Sequence, residues 1–117
     1  MATIALNTFK TTTANVTTIE QTVYTAPAGV TTVILLAQVS NIDPANTVTV
    51  SSNYLKTSNT VGTNATSIIR NVIVPTRDSA TLLTGKLILQ TGDSFTCVAD
   101  ANNKGQLILS YLETANQ

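Results

Sequence analysis

The sequence predicts an all-β chain: a single-domain antiparallel β-sandwich of seven or eight strands, with a jelly roll among the connectivities open to it. Three observations predict it. Apolar residues come in short runs bounded by Gly, Pro, Asp or Asn, the pattern of strands and turns. Apolar and polar residues alternate within many of those runs, as on a strand with one buried face. Threonine, β-branched yet hydroxylated, occurs 23 times along the chain, so a sheet can be polar outside without charges. At 117 residues the chain is one domain, large enough to bury about two-thirds of its unfolded surface.

The elements follow in order. Residues 1–14, MATIALNTFKTTTA, are expected to form an extended N-terminal arm, with the sandwich at 15–117. Ile4, Leu6 and Phe9 are its apolar side chains and Thr11-Thr12-Thr13 reads as a spacer. The arm is expected to dock on a neighbouring subunit by adding a strand to a sheet edge, which makes Ile4, Leu6 and Phe9 interface candidates. Val16–Thr25 reads as a strand and Ala26-Pro27-Ala28-Gly29 as a turn, in which Pro sets φ and Gly relaxes it. Val30–Asn41 is the central strand, with Val33, Leu35, Ala37 and Val39 on the core face and Ile34 and Leu36 on the other. A turn at Ile42–Asn46 leads to Thr47–Lys56, where Val48 and Val50 point inward. Thr57–Ala65 is a polar loop, and Thr66–Pro75 is the next strand.

Gly85–Glu113 reads as three short strands joined by two tight turns, the signature of hairpins. Leu87 and Leu89 belong to the first strand and Phe95, Cys97 and Ala99 share a face of the second. Leu107, Leu109 and Tyr111 share a face of the third. Ile108 and Leu112 interrupt its opposite, polar face, so that face is expected to be covered as well. Val33, Leu35, Ala37, Val39, Leu87, Leu89, Leu107 and Leu109 are the expected core.

Charge and residue usage exclude several functions. The net charge is zero and 10% of residues are charged. No basic patch is available for nucleic acid or an anionic membrane, so neither is an expected partner. A free protein with so little charge has little colloidal protection, which suits a chain living inside an assembly. There is no His, and Cys97 is the single cysteine. An intrachain disulfide and a Cys/His zinc site are therefore closed. MATIALNTFK lacks a basic start followed by a long apolar stretch, so it does not read as a signal peptide, and synthesis in a cytoplasm without export by that route is expected.

The chemistry-bearing residues read as structural. Asp43, Asp78, Asp93 and Asp100 sit in or beside turns, where Asp accepts backbone amides. A paired-carboxylate hydrolase would need two acids converging across a cleft, and no catalytic residue is expected. Asp100, Asn102 and Asn103 bring oxygens together without calcium-loop spacing; no metal or cofactor is expected. Cys97 reads as a buried thiol with no basic partner to activate it. Tyr54, in SSNYLKTSN beside the polar loop, is the one candidate for contact with a ligand such as a glycan. Tyr24 and Tyr111 fall in strands and are expected to bury their rings.

Two stretches taken together carry a resemblance. They contain a Tyr-Thr-x-Pro-x-Gly turn at Tyr24–Gly29 and an apolar strand ending in Asn at Thr32–Asn41. A Leu-x-x-Gly-Asp pattern closes Leu87–Asp93, and Ser-Tyr-x-Glu closes the last strand at Ser110–Glu113. About half the chain in this way resembles small virion structural proteins of tailed bacteriophages, particularly those of cyanobacterial phages. The resemblance implies a β-sandwich packed in a phage virion, as a capsid decoration (cement) protein or a tail, neck or fibre accessory. Implied partners are the major capsid protein or tail proteins, together with further copies of the chain; analogy favours a trimer. The competing class is a tail-associated module that binds a host receptor or glycan.

Overall fold

The computed structural model describes residues 7–56 and 65–115. They form strands β1 (Asn7–Val16), β2 (Gln21–Thr25), β3 (Val30–Asn41), β4 (Val48–Leu55), β5 (Thr66–Val74), β6 (Ser79–Thr81), β7 (Leu87–Leu89), β8 (Ser94–Ala99) and β9 (Gly105–Ala115). One antiparallel sheet runs β1-β9-β3-β6 with β7 also on β3, and the other runs β2-β8-β4-β5. The two pack as a β-sandwich. β6 pairs with Gln38–Ser40 and β7 with Thr32–Ile34. They lie end to end along the edge of β3 that β9 leaves open, as one interrupted strand. Counted that way, the strand order is that of a jelly roll.

The three strands expected in Gly85–Glu113 are present, but they are not joined as hairpins. β7 belongs to the first sheet, β8 to the second and β9 to the first again. Each tight turn is an arch between sheets. Turn residues encode a local reversal; the partner is chosen by apolar faces meeting across the core. Among the described residues, β4 and β5 are the one pair of consecutive strands that bond to each other.

The core lies between the sheets. Val16, Ile34, Ala37, Val39, Leu89, Leu107 and Leu109 meet Val48, Val50, Val74, Phe95 and Cys97, all fully buried. Of the expected core, Ala37, Val39, Leu89, Leu107 and Leu109 are there, and Leu87 packs partly against it. Val33 and Leu35 are not. The register of β3 on β9 slips between Ile34 and Leu36, so Leu35 is an extra residue opposite no partner. Before this bulge Thr32 and Ile34 face inward; after it Ala37, Val39 and Asn41 do. One inserted residue reverses a two-residue period, so one alternation cannot describe the whole strand.

Residues 7–14, part of the arm expected to add a strand to a neighbouring subunit, run as strand along β9 of their own chain, from Asn7 opposite Thr114 to Ala14 opposite Leu107. The threonines read as a spacer are strand residues. Polarity suggested a linker, whereas β-branching favours the extended backbone. Val16 at the end of this strand is fully buried.

Two glycines answer local needs. Gly29 takes φ +74° in the turn closed by the Val30 N–H on the Pro27 carbonyl at 3.2 Å. Gly105 lies between Val16 and Asn41 on the neighbouring strands, where a Cβ would meet Val39 Cγ2 at 3.3 Å.

Candidate assembly surface

The outer face of the first sheet carries most of the exposed large apolar side chains among the described residues. Residues opposite one another in a sheet share a face, with Cβ atoms about 5 Å apart. Phe9 on β1 is opposite Leu112 on β9, Leu112 opposite Val33 on β3, and Val33 opposite Ile88 on β7. All four point away from the core, so an apolar row crosses the sheet. Phe9 is 74% exposed and Ile88 59%, while Leu112 and Val33 are half-buried. The bulge adds Leu35 and Leu36 beside the row, at 38% and 37% exposure, and Ile108 lies further along β9 at 40%.

The flanking rows are neutral and, apart from Leu36 and Ile108, polar. One is Asn7–Thr114–Thr31 and the next on the other side is Thr11–Ser110–Leu36; beyond them lie Thr13–Ile108–Gln38–Thr81 and Asn15–Gln106–Ser40–Ser79. No outward position in these rows is charged. Lys10 points the other way, opposite Tyr111, and pairs with Glu113 at 2.9 Å.

Of the sequence-derived interface residues, Phe9 stands at the end of the apolar row, and Ile4 and Leu6 lie outside the described residues. Leu112, Val33, Ile88, Leu35 and Leu36 were not singled out as interface residues. The available signal was the apolar interruption of the polar face of the last strand by Ile108 and Leu112. Both sit on this face, which nothing in the chain's second sheet covers.

The remaining candidates serve the fold. Tyr54 packs its half-buried ring against the core and donates its hydroxyl to Asp93 Oδ2 at 2.5 Å. Burial, followed by that hydrogen bond to the carboxylate, pushes its pKa up to about 12. Asp93 is itself buried and also accepts the Gln90 N–H at 3.0 Å, as expected of a turn residue that opens a strand. Asp43 accepts the Ala45 N–H at 2.8 Å and pairs with Lys104; the Lys104 hydrogen bond, aided by that amide, holds its carboxyl well below the usual range. Asp100 Oδ1 accepts the Thr49 N–H at 3.0 Å and Asn102 Oδ1 the Thr18 N–H at 2.8 Å. Those oxygens tie loops to strands. Among the described residues no three of Cys, Asp and Glu gather as metal ligands would. Cys97 is fully buried, and desolvation pushes its thiol up to about 12.

A buried polar cluster closes one end of the sandwich. Tyr24 on β2 donates its hydroxyl to Glu113 on β9 at 2.6 Å and contacts the Thr32 hydroxyl on β3 at 2.7 Å. Its ring lies 4.3 Å from that of Tyr111, whose hydroxyl reaches Thr12 on β1 at 2.8 Å. Desolvation, then the Glu113 hydrogen bond, raises the Tyr24 pKa well above its ordinary value. Tyr24, Tyr111 and Glu113 belong to the motif on which the phage resemblance rests, and here they join the two sheets.

No family model and no curated protein matches the chain. Among solved structures, the fold is similar to a chain from Bacillus endospore appendages, described as a novel family of disulfide-linked pili. The TM-score is 0.52 at 10% identity, covering 100% of this chain and 98% of that one. A chain of the T13 IBDV viral particle matches with a TM-score of 0.49 at 10% identity, over 96% of this chain and 32% of that one. At such identity the likeness is one of fold.

Proposed function

We propose that this chain is a non-enzymatic structural subunit of a bacteriophage virion, a capsid decoration or cement protein that stabilises the particle through many repeated contacts. The observation that carries the reading is the apolar row Phe9–Leu112–Val33–Ile88 on an uncharged sheet face. A contiguous apolar patch with a polar rim is the pattern of a protein–protein contact. Repetition over a lattice makes such attachment strong even where each contact is weak. The sequence resemblance to small phage virion proteins supports the particle, and the major capsid protein is the partner it suggests. The pilus chain of similar fold belongs to another repeating assembly. Disulfide linkage, named for that family, is not open to Cys97 while it stays buried in the core. A receptor- or glycan-binding head would be supported by clustered exposed aromatics. Phe9 instead stands among aliphatic residues, and Tyr54 is held by Asp93.

The test is reconstitution. Phage particles lacking this chain are mixed with the purified protein and sedimented. The wild-type chain should bind in capsid-scale copy number and restore resistance to heat. Leu112→Lys should fold and fail to bind. Undiminished binding of that variant would remove the outer face from the contact, and binding confined to tails would move the chain to a tail accessory.

A further inference from the structure

The four sheet edges, at β1, at β6 with β7, at β2 and at β5, differ in protection. A free sheet edge exposes backbone N–H and C=O groups that template another strand, and proteins commonly blunt it with bulges, charges, proline or brevity. β2 is five residues long and bulged at Val23. β5 has two irregularities against β4 and a positive φ of 56° at Asn71. Of these devices β1 carries one, the charge of Lys10. It runs ten residues in unbroken register on β9, without proline, and its one charged residue, Lys10, is turned inward to Glu113. Among the described residues no strand lies on its other side. Gln21 Nε2 donates to the Asn15 carbonyl at 2.7 Å. By the antiparallel alternation, Asn7, Phe9, Thr11 and Thr13 then direct their backbone groups to the same open side.

We propose that this edge takes the β1 strand of a second copy, paired antiparallel about a two-fold axis at Phe9. The register follows from side chains. Centring on Lys10 would oppose two ammonium groups, and centring on Thr11 would leave each Phe9 beside Thr13 of the other copy. Centring on Phe9 places the two rings opposite each other and Lys10 opposite Thr8. It also joins the two apolar rows into one, running from Ile88 through Phe9 of one copy to Ile88 of the other. The axis is perpendicular to the sheet, so the outer faces stay on one side and the four-strand-wide sheets fuse into one of twice the width. An isologous contact of this kind closes on itself and gives a dimer. The pairing is a property of the free chain, whatever particle carries it.

The full-length chain should elute and scatter light as a dimer at about 100 μM, with two-fold dilution series showing reversible dissociation. Phe9→Lys should be monomeric with an unchanged far-UV circular dichroism spectrum. Thr11→Pro, which removes an outward N–H and leaves the bonds to β9, should lose the dimer too. Cross-linking fixes the register. Cys97 is buried, so Phe9→Cys under mild oxidation should give a covalent dimer at a Cα separation near 5.5 Å, whereas Thr11→Cys and Thr13→Cys should not. A monomeric wild-type chain overturns the proposal, as does a dimer that survives both Phe9→Lys and Thr11→Pro. Preferential cross-linking through Thr11→Cys overturns the Phe9 register.

Discussion

Tyr24 shows how single side chains close this sandwich. Its hydroxyl reaches Glu113 and Thr32 in the opposite sheet, at 2.6 and 2.7 Å. Tyr24→Phe keeps the ring against Tyr111 and strands buried acceptors, so it should destabilise the fold by about 1–3 kcal/mol in urea unfolding. The same variant should change the response to acid. Glu113 is held below its ordinary value of 4.5, first by the Tyr24 hydrogen bond and then by Lys10, against the opposing cost of desolvation. A carboxylate with a lowered folded-state pKa adds stability that is full above its unfolded value. That stability is lost as the pH falls through the folded value. Wild-type stability should therefore fall below pH 4.5, and Tyr24→Phe should flatten that part of the curve. An identical slope in both proteins would show that Glu113 does not titrate with folding.

Two further residues test the core from opposite directions. Leu109 is fully buried on β9, and Leu109→Ala should cost about 2–5 kcal/mol from lost transfer energy and the cavity left behind. Ser52 faces the same interior from β4, and its hydroxyl is buried with no hydrogen-bond partner among the described residues. An unsatisfied buried hydroxyl costs about 1–3 kcal/mol, and removing it relieves that cost. Ser52→Ala should thus raise the unfolding midpoint. A fall would mean that the hydroxyl has a partner in solution.

At the scale of elements, β3 separates what sequence carries from what it does not. The strand itself was legible from its apolar run, as were β4, β8 and β9. Its facing was legible in its second half, where Ala37 and Val39 are buried as expected. In the first half the bulge at Leu35 exchanges the faces, and nothing in VTTVILLAQVSN marks where an extra residue will be absorbed. Ile34→Ala should therefore cost about 2–5 kcal/mol, while Val33→Thr, on the outer face, should stay within about 0.5 kcal/mol. Equal costs would contradict the bulge. The place of β1 on its own β9 was not legible for a different reason, because three successive threonines satisfy a linker and an edge strand equally well. The arches of the last three strands were missed because a turn does not state which sheet receives the next strand. The candidate surface was half legible: Phe9 stood out as an apolar side chain of the N-terminal arm, and Ile108 and Leu112 broke a polar face. The row they form with Val33 and Ile88 depends on register between distant segments, which periodicity cannot supply.

At the scale of the whole molecule, three of the six cationic side chains sit beside carboxylates of the same chain. Lys10 pairs with Glu113 and Lys104 with Asp43, while Lys56 approaches Asp93 at 3.9 Å. The outward positions along β1, β9 and β3 carry no charge. A contact made through that face must rest on apolar burial and neutral hydrogen bonds. Salt acts differently on the two kinds of contact. At ~1 M the screening length falls to about 3 Å, which removes most of the attraction between exposed charges. Apolar burial does not depend on charge and is not screened. Particles carrying this chain and washed in ~1 M sodium chloride should therefore retain it in full. Detergent, which competes for apolar surface, should release it at lower concentrations than salt can. Quantifying the chain in the pellet and supernatant after each wash decides the matter. Release by moderate salt would mean that the contact is made through charged residues elsewhere, such as Arg70 and Arg77, and not through the neutral face of the first sheet.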